Sequence, residues 1–174
     1  MAKHLLHSFE MEHKMVTQEY LNTWLSYDSG KLFWKKQKGY KNKEGKEAGY
    51  IHRDKYWRVE LDGKSYKRSR LIFLMFNGFL PSVVDHINGV RDDDRVENIR
   101  AASYLTNAWN MKVKSTSSLG VKGVSWHSRD KVFQARIRHD GKEKHLGVYN
   151  SLEEAEKCVR AFREEHHKEF TNHG

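Results

Sequence analysis

The chain has 174 residues, 37% of them hydrophobic and 32% charged, with a formal net charge of +9 and a pI near 9.5. That length allows one domain or two small ones, and that charge points to a polyanionic partner, with nucleic acid ahead of an anionic membrane surface. The single cysteine, Cys158, excludes an internal disulfide and a cysteine-rich zinc site; the longest apolar run, LIFLMFNGFL at 71–80, is too short to span a bilayer; and the N-terminus lacks a signal peptide's apolar core.

Residues 1–16 are polar and His-rich and read as a tail. Thr17 can cap a short helix with Tyr20, Leu21, Trp24 and Leu25 on one side. Asp28-Ser29-Gly30 reads as a turn into a strand. Residues 48–61 and 64–70 read as two strands joined by Asp62-Gly63, a strong hairpin signal. A short buried helix is expected over 70–79, stopped by Gly78 and by Pro81, the only proline. Val83-Val84 open a strand ending at Asp85-His86. Asn88-Gly89 is a turn, a polar loop runs to Arg95, and Asn98-Ile99-Arg100 is a second short strand. Ser103 can cap a helix that carries Asn107 and Asn110 on one face.

KVKSTSSLGVKG at 112–123 is rich in Ser, Gly and Lys and reads as the place of a linker, set at 112–119. Three strands follow, near 122–127, 131–139 and 143–149. The last helix starts at Ser151, with Glu154 completing a Ser-x-x-Glu capping box. Its apolar stripe is Leu152, Ala155, Cys158, Val159 and Phe162. RDKYWRVELDGK at 53–64 and RDKVFQARIRHDGK at 129–142 share a design, a charged turn, an alternating strand and an Asp-Gly turn.

Charge is uneven along the chain. Residues 31–70 hold fourteen Lys/Arg against five Asp/Glu, and 111–145 hold nine against three; between them, 85–98 holds five acids against two arginines. A carboxylate and an imidazole stand side by side at the end of the first strand of this acidic stretch. That pairing suits metal-assisted phosphodiester hydrolysis. Mg²⁺ prefers oxygen ligands and retains waters, so Asp85 with the Asn107 amide oxygen can suffice. A neutral His86 can take a proton from the attacking water, and Asn98 can orient that imidazole. Asp92–Asp94 read as a solvated loop, because the candidate ligands lie elsewhere.

The stretch VVDHINGVRDDDRVENIRAASYLTN resembles the HNH nuclease motif, in its phage homing and intron-associated subclass. The resemblance covers roughly residues 20–110. It implies that Asp85 is the first metal ligand, His86 the general base, Asn98 the residue that orients the base and Asn107 the second metal ligand. The implied cofactor is Mg²⁺ or Mn²⁺, not zinc. Two departures stand out. The family usually has His-Arg where this chain has Ser69-Arg70, and many relatives read Asp-Asn-Arg where this chain reads Asp93-Asp94-Arg95.

GVKGVSWHSRDKVFQARIRHDGKEKHLGVYNSLEEAEKCVRAFREEH, at 120–166, is similar to the plant ethylene-response-factor (Apetala-type) DNA-binding domain. That resemblance implies a three-stranded antiparallel sheet backed by one helix, with the sheet entering the major groove. Strand alternation turns Phe133, Ala135 and Ile137 to the helix and Gln134, Arg136 and Arg138 away from it. With Ser125, His127, Arg129, Lys131 and His145 they would form the DNA face, where arginine reads guanine and glutamine reads adenine. Lys35, Lys36, Lys38, Lys41 and Lys43 are expected on phosphates, adding affinity but no sequence information.

The expectation is therefore an α+β protein. A tail (1–16) precedes a ββα-metal nuclease domain with a strand-rich N-terminal extension (17–111, motif at 83–110); a linker (112–119) leads to the sheet–helix domain (120–174). The expected activity is a homing-like, metal-dependent endonuclease nicking one strand of double-stranded DNA per active site. It would act as a monomer or dimer, away from membranes, in the cytoplasm of a phage-infected host. The alternatives are an inactive DNA-binding regulator and a non-specific phage DNA-processing nuclease.

Overall fold

A computed structural model describes residues 16–36, 43–113 and 117–173. Residues 1–15 of the expected tail, 114–116 of the expected linker and the phosphate contacts at Lys38 and Lys41 lie outside them. The chain divides into two compact units, one holding residues up to Leu80 and Arg91–Glu97, the other Pro81–Val90 and the residues from Asn98 on.

In the first unit, Thr17 Oγ1 accepts from Tyr20 N and starts α1 (Gln18–Trp24). β1 (Leu25–Asp28) and β2 (Lys31–Trp34) form an antiparallel hairpin. A second sheet has the order β3 (Tyr50–Ile51), β4 (Trp57–Leu61), β5 (Lys64–Lys67). The hairpin turn at Asp62-Gly63 has positive φ at both residues, 48° and 76°, as a two-residue β-hairpin turn requires.

The strand expected over 48–61 is broken in two. Asp54 is the cause: its carboxylate accepts from Tyr56 N at 3.2 Å and from Arg58 at 2.8 Å, a local alternative to ladder pairing. The strand expected to reach residue 70 ends at Lys67. From Arg68 the chain is already α2 (Arg68–Asn77), closed by Gly78 in the left-handed conformation. Leu71, Ile72, Phe73 and Leu74 are buried in this unit's core with Leu21, Leu25, Leu32, Val59 and Leu61.

In the second unit, β6 (Val83–His86) pairs antiparallel with β7 (Ile99–Ala102), and α3 (Tyr104–Asn110) follows. Ser103 and Thr106 form a reciprocal capping box at its start. β8 (Val124–His127), β9 (Val132–His139) and β10 (Lys142–Tyr149) form an antiparallel sheet in the order β10-β9-β8. α4 (Leu152–His167) is capped by Ser151, whose hydroxyl accepts from Glu154 N. Val124, Ala135 and Ile137 pack with Ala155 and Val159, the helix stripe read from its 3.6-residue period. Gly123 has φ +80°, and a Cβ there would meet Arg136 O at 2.8 Å, so the turn into β8 demands glycine.

Candidate active site

Asp85 and His86 end β6, and both are 5% exposed. The strand register sets Asp85 opposite Arg100 and His86 opposite Ile99. Arg100 Nε donates to Asp85 Oδ2 at 2.9 Å. From α3, Asn110 Nδ2 donates to both Asp85 oxygens at 3.0 Å and to His86 O at 2.8 Å. All three are acceptors, so only the amide nitrogen can face them.

Asn98 is buried at the junction of a 3₁₀ turn (Val96–Asn98) and β7. Its amide clasps Asn88 from both sides: Asn98 Oδ1 accepts from Asn88 N and Asn98 Nδ2 donates to Asn88 Oδ1, each at 3.1 Å. Ile87 N donates to Asn98 O at 2.8 Å and Gly89 N to His86 O at 2.9 Å. The turn leaving His86 is thus pinned to the strand that carries Asn98. Asn107 lies on α3, half-buried, three residues before the asparagine whose side chain reaches Asp85.

Asp85, His86, Asn98 and Asn110 thus come together. Arg100 and Asn110 are the partners that sequence reasoning missed. Arg100 had a signal, since it falls directly across the strand pair from Asp85; Asn110 had only its helical spacing from Asn107. A hard cation fits this donor set. A carboxylate offers about four acceptor positions; Arg100 and the shared Asn110 amide take one on Oδ1 and two on Oδ2, which leaves Oδ1 room for a ligand bond. Among the described residues no group of three or more His, Cys, Asp or Glu is placed to hold a metal. A cation here would rely on Asp85, an amide oxygen such as that of Asn107, and water.

The acidic loop belongs to the first unit and differs from the solvated loop expected. Asp94 is 2% exposed and accepts from Arg68 Nε at 2.8 Å. Asp93 takes both Nε and one Nη of Arg95 at 2.7 and 2.8 Å, and this pair holds the Arg95 guanidinium well above its usual pKa.

On the sheet of β8–β10, Ser125, Arg129, Lys131, Arg136, Arg138 and His145 are exposed, while His127 and Gln134 are half-buried. Ser125 is in register with Gln134, and Arg136 with His145. Arg136 donates to Gln134 Oε1 at 2.8 Å and to Glu143 Oε1 at 3.2 Å. His127 faces Asp130 at 3.2 Å. In the first unit, Lys35 Nζ donates to Asn22 O at 2.8 Å. Lys36 Nζ stands 4.6 Å from the centroid of the Trp24 ring, and Lys43 Nζ 5.4 Å from that of Trp34. No helix among the described residues is long and apolar enough to cross a membrane.

A model of the HNH endonuclease family matches residues 66–108. The chain is 30% identical over 105 residues to Protein 3.8 of Escherichia phage T7, covering 59% of this chain and 87% of that protein. It also aligns with the structure of the HNH homing endonuclease I-HmuI at 22% identity and a TM-score of 0.40, over 80% of this chain and 76% of that one.

Proposed function

We propose, from the premise that this chain belongs to one family with phage T7 Protein 3.8 and carries an HNH endonuclease domain at 66–108, that it is a metal-dependent, homing-like DNA endonuclease that nicks one strand per active site. The observation that carries the reading is the adjacency of Asp85 and His86 at the buried end of β6, with β7 and α3 following in ββα order.

His86 is the general base: its imidazole takes a proton from the water that attacks the scissile phosphorus. Asn98 fixes the turn behind that ring and with it the ring's direction. Asp85 and Asn107 are the metal ligands. A divalent ion, Mg²⁺ or Mn²⁺, would be held by these two side chains and would supply charge stabilisation at the phosphate. Attack forms one P–O bond as the bond to the 3′ oxygen breaks; that oxygen takes a proton from solvent and His86 returns its own to solvent, leaving a 5′ phosphate and a 3′ hydroxyl.

The partner is double-stranded DNA. The net charge of +9 supports it, as does the exposed face of β8–β10. There Gln134, Arg136, Arg138 and His145, with Ser125, His127, Arg129 and Lys131, would read bases or hold phosphates. Lys35 and Lys36 would add phosphate contacts. The acidic outer face of α4 supports a helix turned from DNA, as in Apetala-type domains. The test is to map cut ends across long phage and host DNA. Cutting at one position is expected. Ends scattered along the duplex would instead indicate a non-specific DNA-processing nuclease.

A further inference from the structure

The chain does not stop at the end of α4. Lys168, with φ +48°, turns it into a 3₁₀ turn (Lys168–Phe170), and residues 171–173 follow. Thr171 closes the helix, its hydroxyl donating to Arg163 O at 3.1 Å. Nothing more is needed to end α4, yet the residues on either side of Thr171 reach the nuclease centre.

Two routes run from this segment to Asp85. In the first, Arg100 divides its guanidinium: Nε serves Asp85, and Nη1 donates to the Glu169 carbonyl. The Phe170 ring lies against the guanidinium face, 3.9 Å from Cζ to ring centroid. In the second, Asn172 Nδ2 donates to the Asn110 carbonyl at 2.7 Å and to its Oδ1 at 3.3 Å. The second contact turns the Asn110 amide so that its nitrogen faces Asp85 and His86 O. Both donors that hold Asp85, Arg100 and Asn110, are therefore themselves held by residues 169–172. Such outer contacts fix a ligand's orientation and tune its metal.

We propose that Glu169–Asn172 is a positioning element of the nuclease centre, acting through Arg100 and Asn110 to set the Asp85 carboxylate. It rests on the reading of Asp85 as a metal ligand. The consequence is that the sheet–helix module, whose last helix leads straight into this segment, is tied to the geometry of the catalytic carboxylate. Deleting 120–174 would then remove more than DNA recognition.

The test uses the full chain with Asn172→Ala, which removes the side-chain donor to Asn110. Mn²⁺ affinity by electron paramagnetic resonance is expected to fall about tenfold, within the 10–100-fold span of outer-contact losses, and cleavage to fall with it. DNA affinity in EDTA stays at the wild-type value. In metal-free protein the Asn110 side-chain amide protons exchange faster with solvent. Combined with Asn110→Ala the losses do not add, because both act on one contact. Asn172→Asp keeps the shape and removes the donor, so it matches the Ala variant and decides the matter if that variant melts early. Wild-type Mn²⁺ affinity and amide exchange in both Asn172 variants, or fully additive losses, would overturn the positioning role alone. A wild-type protein that binds no Mn²⁺ overturns both the role and the nuclease reading.

Discussion

Arg68 Nε meets Asp94 Oδ2 at 2.8 Å with both side chains closed to water, 3% and 2% exposed. The first residue of α2 thereby holds the acidic loop. The guanidinium has a second carboxylate, Glu47, also at 2.8 Å, and lies over the Trp57 ring. This pairing, with Asp93–Arg95 and Asp85–Arg100, explains why a basic chain concentrates acids at 85–97. Four of those five acids each face a named arginine, since Glu97 also stands 3.7 Å from Arg95.

Breaking a buried pair from one side leaves a charge without compensation. Asp94→Ala should cost about 3 kcal/mol, the low end for buried pairs, since Glu47 still serves Arg68. Asp94→Asn keeps an acceptor and should cost about 1–2 kcal/mol. Urea unfolding midpoints measure both. An Ala variant as stable as wild type would show the loop to be held by other contacts.

His86→Ala should abolish cleavage while leaving DNA affinity in EDTA within about twofold, because the role proposed for the imidazole is proton transfer rather than binding. Gel-shift titration beside a cleavage time course gives both numbers. Wild-type cutting by this variant would remove His86 as the base.

The two α3 asparagines should separate. Asn107→Ala removes a proposed ligand, so cleavage should fall and added Mn²⁺ should restore only part of it. Asn110→Ala loosens Asp85 without removing a ligand, so cleavage should fall about 10–100-fold and recover further at saturating Mn²⁺. Metal titrations of cleavage rate check this. Identical curves would assign the two residues one role.

His167 stacks on Trp109 at 4.1 Å between ring centroids, and neither ring nitrogen has a hydrogen-bond partner among the described residues. Burial, then the Arg163 charge, lowers its pKa from 6.5 to about 4. The folded state keeps this ring neutral while the unfolded chain takes up a proton. Its full contribution is therefore present above about pH 6.5 and is lost as pH falls toward 4, in total roughly 3 kcal/mol. His167→Phe keeps the stack and should flatten that part of the profile. Urea midpoints from pH 7 to 4 measure it. Equal pH slopes in both proteins would exclude His167 as the source.

Local chemistry was legible in the sequence. Thr17, Ser103 and Ser151 cap where expected, Asp62-Gly63 turns the hairpin, and alternation in β9 buries Ala135 and Ile137. The adjacency of Asp85 and His86 was plain because it is covalent. Features that depend on distant partners were not legible. Arg68 and Asp94 are 26 residues apart, and Asn172 lies 62 from Asn110. No local pattern encodes such pairs. The turn at Asp54 was half legible: the stretch 53–64 opens on a charged turn, but the single strand expected over 48–61 ran through it, because the carboxylate contacts to Tyr56 N and Arg58 that break the strand leave no mark in the alternation.

The most direct measurement is to incubate the protein with supercoiled plasmid carrying phage target DNA, in Mg²⁺ and separately in EDTA. Conversion to open circles in Mg²⁺ alone is the predicted result. Intact supercoils in Mg²⁺, with binding to the same DNA confirmed, would contradict the nuclease assignment and make the chain a DNA-binding regulator.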